Sequence, residues 1–170
     1  MVFHFLILSG EDEHFIREIL IDAKSSFLDF HKAIQESVAY DQGQLASFFL
    51  SDDDWGKGQE ITLMQMDEQS ESLLMDEQTL NAYIDEPKDR LIYTFDFFGN
   101  RGFFVELLNI SGERDLKDPA LVRAEGDAPD QILMDEFGGD ETDLFDFEEE
   151  DEFSDEAFEE LGLDALGEEW

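Results

Sequence analysis

Leu91-Ile92-Tyr93-Thr94-Phe95-Asp96-Phe97-Phe98-Gly99-Asn100-Arg101-Gly102-Phe103-Phe104-Val105-Glu106-Leu107-Leu108 decides how the chain is read. Leu91, Tyr93, Phe95 and Phe97 alternate with Ile92, Thr94 and Asp96, and Phe103, Val105 and Leu107 alternate with Phe104, Glu106 and Leu108. A period of two marks half-buried strands, and Gly99-Asn100-Arg101-Gly102 supplies the turn, so the stretch predicts a β-hairpin. An even loop pairing Phe98 with Phe103 sets Phe95 against Glu106, a mismatch because cross-strand partners share a face. An odd loop with Phe97 opposite Phe103 sets Phe95 on Val105, Tyr93 on Leu107 and Thr94 on Glu106. That register asks for a bulge or irregular turn around Phe98 to Gly102.

Around this hairpin the chain has material for one core. It has 170 residues, 42% hydrophobic, with 17 Phe, which suits one folded domain over residues 1–134 and a tail over 135–170. The expected class is α+β, a largely antiparallel sheet packed by one main amphipathic helix, plus the acidic C-terminal tail. Forty-six acidic residues stand against ten basic ones, a formal charge of −36. Binding to a phosphate backbone draws on Lys and Arg that release counterions, so direct nucleic-acid binding is not expected. The absence of cysteine rules out disulfides, thiolate metal sites and cysteine nucleophiles. Met1 to Leu8 is apolar, yet too short for a membrane span and without a basic flank; neither membrane association nor secretion is expected, and the location read from this is cytoplasmic.

Val2 to Ser9 and His14 to Asp22, parted by Ser9-Gly10-Glu11-Asp12-Glu13, read as a second hairpin. Ser26, with Asp29 three residues on, forms a capping box for a helix whose Phe27, Phe30, Ile34 and Val38 recur at helical spacing. His31 lies at the edge of that stripe and suits a hydrogen-bonded packing role better than catalysis, because no nucleophile or base neighbours it in sequence. His4 and His14 lack a second imidazole at ligand spacing and read as strand residues. Ala46 to Ser51 and Glu60 to Gln65 read as strands, Asp67 to Ser72 as a polar connection, Thr79 to Ile84 as a short helix capped at Gln78 or Thr79, and Ala120 to Ala124 as an edge strand. Asp52-Asp53-Asp54 places carboxylates side by side, whereas a calcium loop of the EF-hand type needs them at alternate positions. It reads as a solvated turn with Trp55 folded back on the core. No metal ligands, no catalytic residues and no cofactor emerge.

Tyr93-x-Phe95-Asp96-Phe97 with Gly99 and a second aromatic strand resembles the hairpin of the plasmid pRiA4b ORF-3-like family. Further likeness comes from Phe27-x-x-Phe30-His31-x-x-Ile34-Gln35, Phe48, Pro129 and Gly138-Gly139, and spans roughly residues 3 to 139. Phe98 is an insertion before Gly99, and Asn100 stands where the family has a second Asp. The resemblance implies a fold and a link to mobile elements, not a particular activity. For Asp96 the expected role is structural, accepting hydrogen bonds from backbone N–H groups of the following turn.

From Asp135 the composition changes to eighteen acids with no Lys or Arg, and with interspersed aromatic and aliphatic residues. Self-repulsion disfavours compaction of such a segment, while Ser154, Phe158, Leu161 and Leu166 allow a short amphipathic helix. Its partner-facing candidates are Phe145, Phe147, Phe153, Phe158, Leu161 and Trp170, against a basic protein or a second copy of the chain as a homodimer. The leading expectation is a non-enzymatic interaction module for a basic protein. The alternatives are a DNA-mimic inhibitor and a hydrolytic enzyme working through carboxylates.

Overall fold

The computed structural model describes residues 1–65, 72–112 and 115–132. The chain divides into two units, Met1–Pro129 and Asp130–Trp170. Gly138, Gly139 and all the tail residues singled out above lie outside the described residues, as does most of the Asp67 to Ser72 connection.

The first unit is an α+β fold. Its strands in chain order are β1 (Val2–Ser9), β2 (Ile16–Asp22), β3 (Ser47–Ser51), β4 (Lys57–Thr62), β5 (Leu73–Leu74), β6 (Arg90–Asp96), β7 (Arg101–Ser111) and β8 (Ala120–Glu125), with the helix α1 (Phe27–Val38) between β2 and β3. They form one eight-stranded sheet in the order β5-β4-β3-β6-β7-β1-β2-β8. Every neighbouring pair is antiparallel except β4 with β5. β7 therefore sits between its hairpin partner β6 and the first strand β1, which joins the two hairpins. No described helix is long and apolar enough to cross a membrane.

α1 forms where its capping residues place it. The Ser26 hydroxyl accepts from the Asp29 N–H and the Asp29 carboxylate accepts from the Ser26 N–H, at 3.0 and 3.2 Å, satisfying two of the amides that a helix start leaves open. It ends at Ala39, whose φ of 55° is left-handed, so the chain leaves the helix before Tyr40. The inward face presents Phe27, Phe30, His31, Ile34 and Gln35. Phe30 stacks on Phe5 and Phe48 at 4.5 and 5.5 Å, and Phe27 meets Phe48 edge-on at 5.3 Å. Full burial of each such ring contributes about 1.5–3 kcal/mol; Phe30→Ala would open a cavity between the two layers. On the same face lie Ile7, Ile19, Ile21, Ile61, Tyr93, Phe95, Phe103, Val105 and Leu107, all buried.

The central hairpin has a tighter register than the odd-loop reading. Tyr93 is opposite Phe103, Leu91 opposite Val105 and Ile92 opposite Phe104, with Asp96 against Arg101. The register shift falls between Thr94 and Asp96, and the turn runs through Phe97 to Asn100, where Asn100 is left-handed at a φ of 52°. The alternation identified which side chains share the core face, but it cannot separate registers that differ by an even number of residues. Here the choice falls to Gly102: a Cβ there would stand 2.4 Å from the Tyr93 carbonyl oxygen, so glycine permits the close approach of β7 to β6. Phe97 is consequently not opposite Phe103. It lies in the turn with Phe98, and both are exposed.

Three further readings shift. The strand expected at Glu60 to Gln65 is β4, three residues earlier, because the polar Lys57-Gly58-Gln59-Glu60 pairs along an exposed margin beside β3. The short helix is a single 3-10 turn at Leu80–Ala82, with Thr79 as N-cap and no side-chain cap hydrogen bond. Trp55 packs against Phe104, and Arg90 lies over its ring, at 4.9 and 4.4 Å, which places it on the sheet face away from α1. The two-residue strand Leu73–Leu74 is too short to show periodicity in the sequence.

Candidate functional site

Among the described residues, the fold brings three polar side chains together beneath the helix: His31 and Gln35 of α1 and Tyr93 of β6. His31 and Gln35 are four residues apart and so share a helix face, and Tyr93 is the central tyrosine of the sheet beneath them. The Gln35 Nε2 donates to the Tyr93 hydroxyl at 2.5 Å, and that hydroxyl shares a hydrogen bond with His31 Nδ1 at 2.7 Å, its direction set by the imidazole tautomer. All three side chains are buried. Burial pulls His31 down to about 4, with Lys32 adding a smaller effect in the same direction, and burial pushes the Tyr93 phenol above its ordinary value. At neutral pH both are uncharged. The Gln35 Oε1 has no hydrogen-bond partner, and no carboxylate bonds to His31 or Tyr93 among the described residues. A neutral imidazole and a protonated phenol without an activating base make a structural pin between helix and sheet, not a nucleophile. Gln35, a polar residue one turn after His31, is the member that composition alone did not single out.

A second constellation closes the hairpin. Arg101 is nearly buried; its guanidinium lies over the Phe95 ring at 5.0 Å, reaches Glu11 at 3.0 Å and reaches Asp96 at 3.2 Å. Burial alone would lower its pKa, but the hydrogen bonds it donates to Glu11 and Asp96, and their negative charge, outweigh that and hold it above the ordinary value. The other Asp96 oxygen accepts from the Gly99 N–H at 3.1 Å. Asp96 thus ties the turn to its partner strand, and its carboxylate is occupied on both sides.

The other arginines among the described residues, Arg17, Arg90 and Arg123, are held in similar fashion. Arg17 donates to the carbonyls of Ser37, Ile16 and Glu125 and lies over Phe15; burial lowers its pKa. Arg123 pairs with Glu18 at 2.9 Å and with Glu125, while His4 reaches the other Glu18 oxygen at 2.7 Å. The Arg123 hydrogen bond is the main reason that the Glu18 carboxyl sits below its usual range. Arg90 faces Glu106 at 3.6 Å. His14 is exposed beside Glu13.

Among the described residues, the acids whose oxygens come close enough together for a cation are Asp85, Glu86 and Asp89. One Asp89 oxygen already accepts the N–H groups of Asp85 and Glu86 at 3.0 Å each, which makes the trio a turn. Asp52 is likewise turned into its own loop, accepting from the Asp54 and Gly56 N–H groups at 2.9 and 2.8 Å, which leaves Asp53 and Asp54 exposed.

No curated protein matches the chain. Among solved structures, a protein of unknown function from Methanosarcina mazei Go1, MM3350, is similar at a TM-score of 0.57 and 22% identity, over 72% of this chain and 68% of that one; the likeness concerns the fold. The profile of the plasmid pRiA4b ORF-3-like protein family matches residues 4–132, which takes in the capped helix with His31 and Gln35 and the hairpin with Tyr93 and Asp96. The chain belongs to the plasmid pRiA4b ORF-3-like family.

Proposed function

We propose that this chain is a non-enzymatic, cytoplasmic interaction module whose acidic surface and acidic, aromatic-containing segment 135–170 receive a basic protein partner. The observation that carries this reading is how the charges are disposed. Arg90, Arg101 and Arg123 are each paired with carboxylates and Arg17 is spent on backbone carbonyls. Asp53, Asp54, Glu60, Asp76, Glu77 and Glu86 are exposed. The surface field is therefore negative, and such a field speeds encounter with cationic partners and repels phosphate. The polar groups in the interior support the same reading, since the pin at Tyr93 is neutral and Asp96 is fully engaged. By family resemblance the module is linked to mobile elements.

The test is capture from native extract by the full-length chain and by a chain ending at Gly139. A basic protein retained by the first and depleted from the second supports the reading. If the captured protein binds DNA and duplex DNA displaces the chain from it, the DNA-mimic alternative replaces the one proposed. Capture of nothing basic at moderate salt overturns both.

A further inference from the structure

Among the described residues the sheet is wider than its helical cover. Seven gaps of roughly 4.8 Å make eight strands about 34 Å across, and one helix with side chains covers about 10 Å. α1 packs over β1, β3 and β6 through Phe5, Phe48 and Tyr93. Toward the other margin, α1, β2 and β8 bound a groove of about 530 Å³. Its apolar lining includes Ile19 of β2, Ala33 of α1 and Leu121 of β8, and Leu121 is 48% exposed. Ile19 and Leu121 are register partners, so they share the face on which α1 lies.

The rim is acidic. Asp29 and Glu36 come from α1 and Asp118 from the approach to β8, while Lys32 is the one cation lining the groove. Asp29, Lys32, Ala33 and Glu36 fall at i, i+3, i+4 and i+7, so they form one stripe along the side of the helix. This stripe is separate from the inward one that holds His31 and Gln35. An apolar floor between acidic banks, beside a helix and above a sheet margin, has the shape and charge for a second helix packed at the usual 8–10 Å.

Resting on the reading of the chain as an acidic module, we propose that the α1/β8 groove is the seat on the folded unit for a basic amphipathic helix of the partner, with its apolar stripe on Ala33 and Leu121 above the buried Ile19 and its cations on Asp29, Glu36 and Asp118. The outer edge of β8, which has no paired strand among the described residues, is not the seat, because Arg123 and Glu125 of that strand carry charge.

The probe is a synthetic amphipathic helical peptide of leucine and lysine, compared with a scrambled peptide of the same composition, each titrated by fluorescence anisotropy against the full chain. Leu121→Asp separates seat from charge: it adds an acid, so attraction by charge alone would leave binding unchanged or tighter, whereas loss of the floor weakens it by about tenfold. Ala33→Trp, which fills the groove from the helix side, should weaken it by a similar factor, and thermal melts verify that both variants remain folded. Equal binding of the two peptides, or an unchanged affinity for Leu121→Asp and Ala33→Trp, overturns the groove while the acidic-module reading stands. If neither peptide binds the wild-type chain, the acidic-module reading itself falls and the groove falls with it.

Discussion

Tyr93→Phe removes one oxygen and nothing else. The ring stays in its place against Phe48 and Phe103, at 4.9 and 6.3 Å, so the loss reports the hydroxyl and not a cavity. Two partners are orphaned: His31 Nδ1 loses its hydrogen-bond partner and Gln35 Nε2 loses its acceptor. Gln35 has no reserve, since its Oε1 is already unpartnered. A buried polar group left unsatisfied costs about 1–3 kcal/mol, so the expected loss is about 2–4 kcal/mol, or roughly 5–15 °C in the midpoint of a thermal melt for a domain of this size. Urea titration of the wild-type and variant full-length chains, at neutral pH and with equal m-values, measures it. Replacing all three groups, as His31→Phe, Gln35→Leu and Tyr93→Phe together, removes donors and acceptors alike and should recover much of the loss, because an apolar set of similar volume has no unpaired groups. A loss under about 0.5 kcal/mol for Tyr93→Phe, or a triple variant less stable than the single one, would refute the account of this node.

The pH dependence follows from His31, held at about 4 when folded against about 6.5 unfolded. Above pH 6.5 both states are neutral there and the residue has no effect. As pH falls from 6.5 to 4 only the unfolded chain takes up the proton, so stability drops by about 3 kcal/mol; His31→Gln should remove that slope, seen as the difference between the two proteins' urea midpoints across the range, and parallel curves would exclude it. Gly102→Ala, with its Cβ 2.4 Å from the Tyr93 carbonyl oxygen, should cost about 1–3 kcal/mol, whereas Gly112→Ala, with open space around it, should stay within about 0.5 kcal/mol in the same titration. Asp96→Asn weakens the pairing with Arg101 and should lower stability by about 1 kcal/mol without affecting capture of a basic partner; unchanged stability with lost capture would move Asp96 from scaffold to binding.

How much the amino-acid sequence reveals depends on the range of each interaction. The Ser26 and Asp29 capping box is complete within four residues, and α1 begins where those residues place it. Tyr93, Phe95, Val105 and Leu107 announce their shared face by alternation alone. The register is another matter, because it rests on the approach of Gly102 to Tyr93, a contact between strands. β4 was displaced for a related reason: its polar residues pair along β3 and carry no periodicity of their own. The node at Tyr93 joins residues 58 and 62 positions apart, and the groove between α1 and β8 joins segments that meet only through the strand order. Neither follows from local spacing, although His31 and Gln35 at i and i+4 already shared a side of the helix.

The central claim is that acidic groups, including those of segment 135–170, hold a basic partner while residues up to Pro129 carry the fold. Calorimetric titration of a basic amphipathic peptide into the full-length chain and into a chain ending at Gly139, repeated at low and at physiological salt, tests it most directly. The account predicts that the shorter chain melts cooperatively, binds more weakly than the full chain, and that both affinities fall as salt screens exposed charges beyond about 8 Å. Equal affinity for the two chains with no response to salt, or a shorter chain that does not fold, would contradict it.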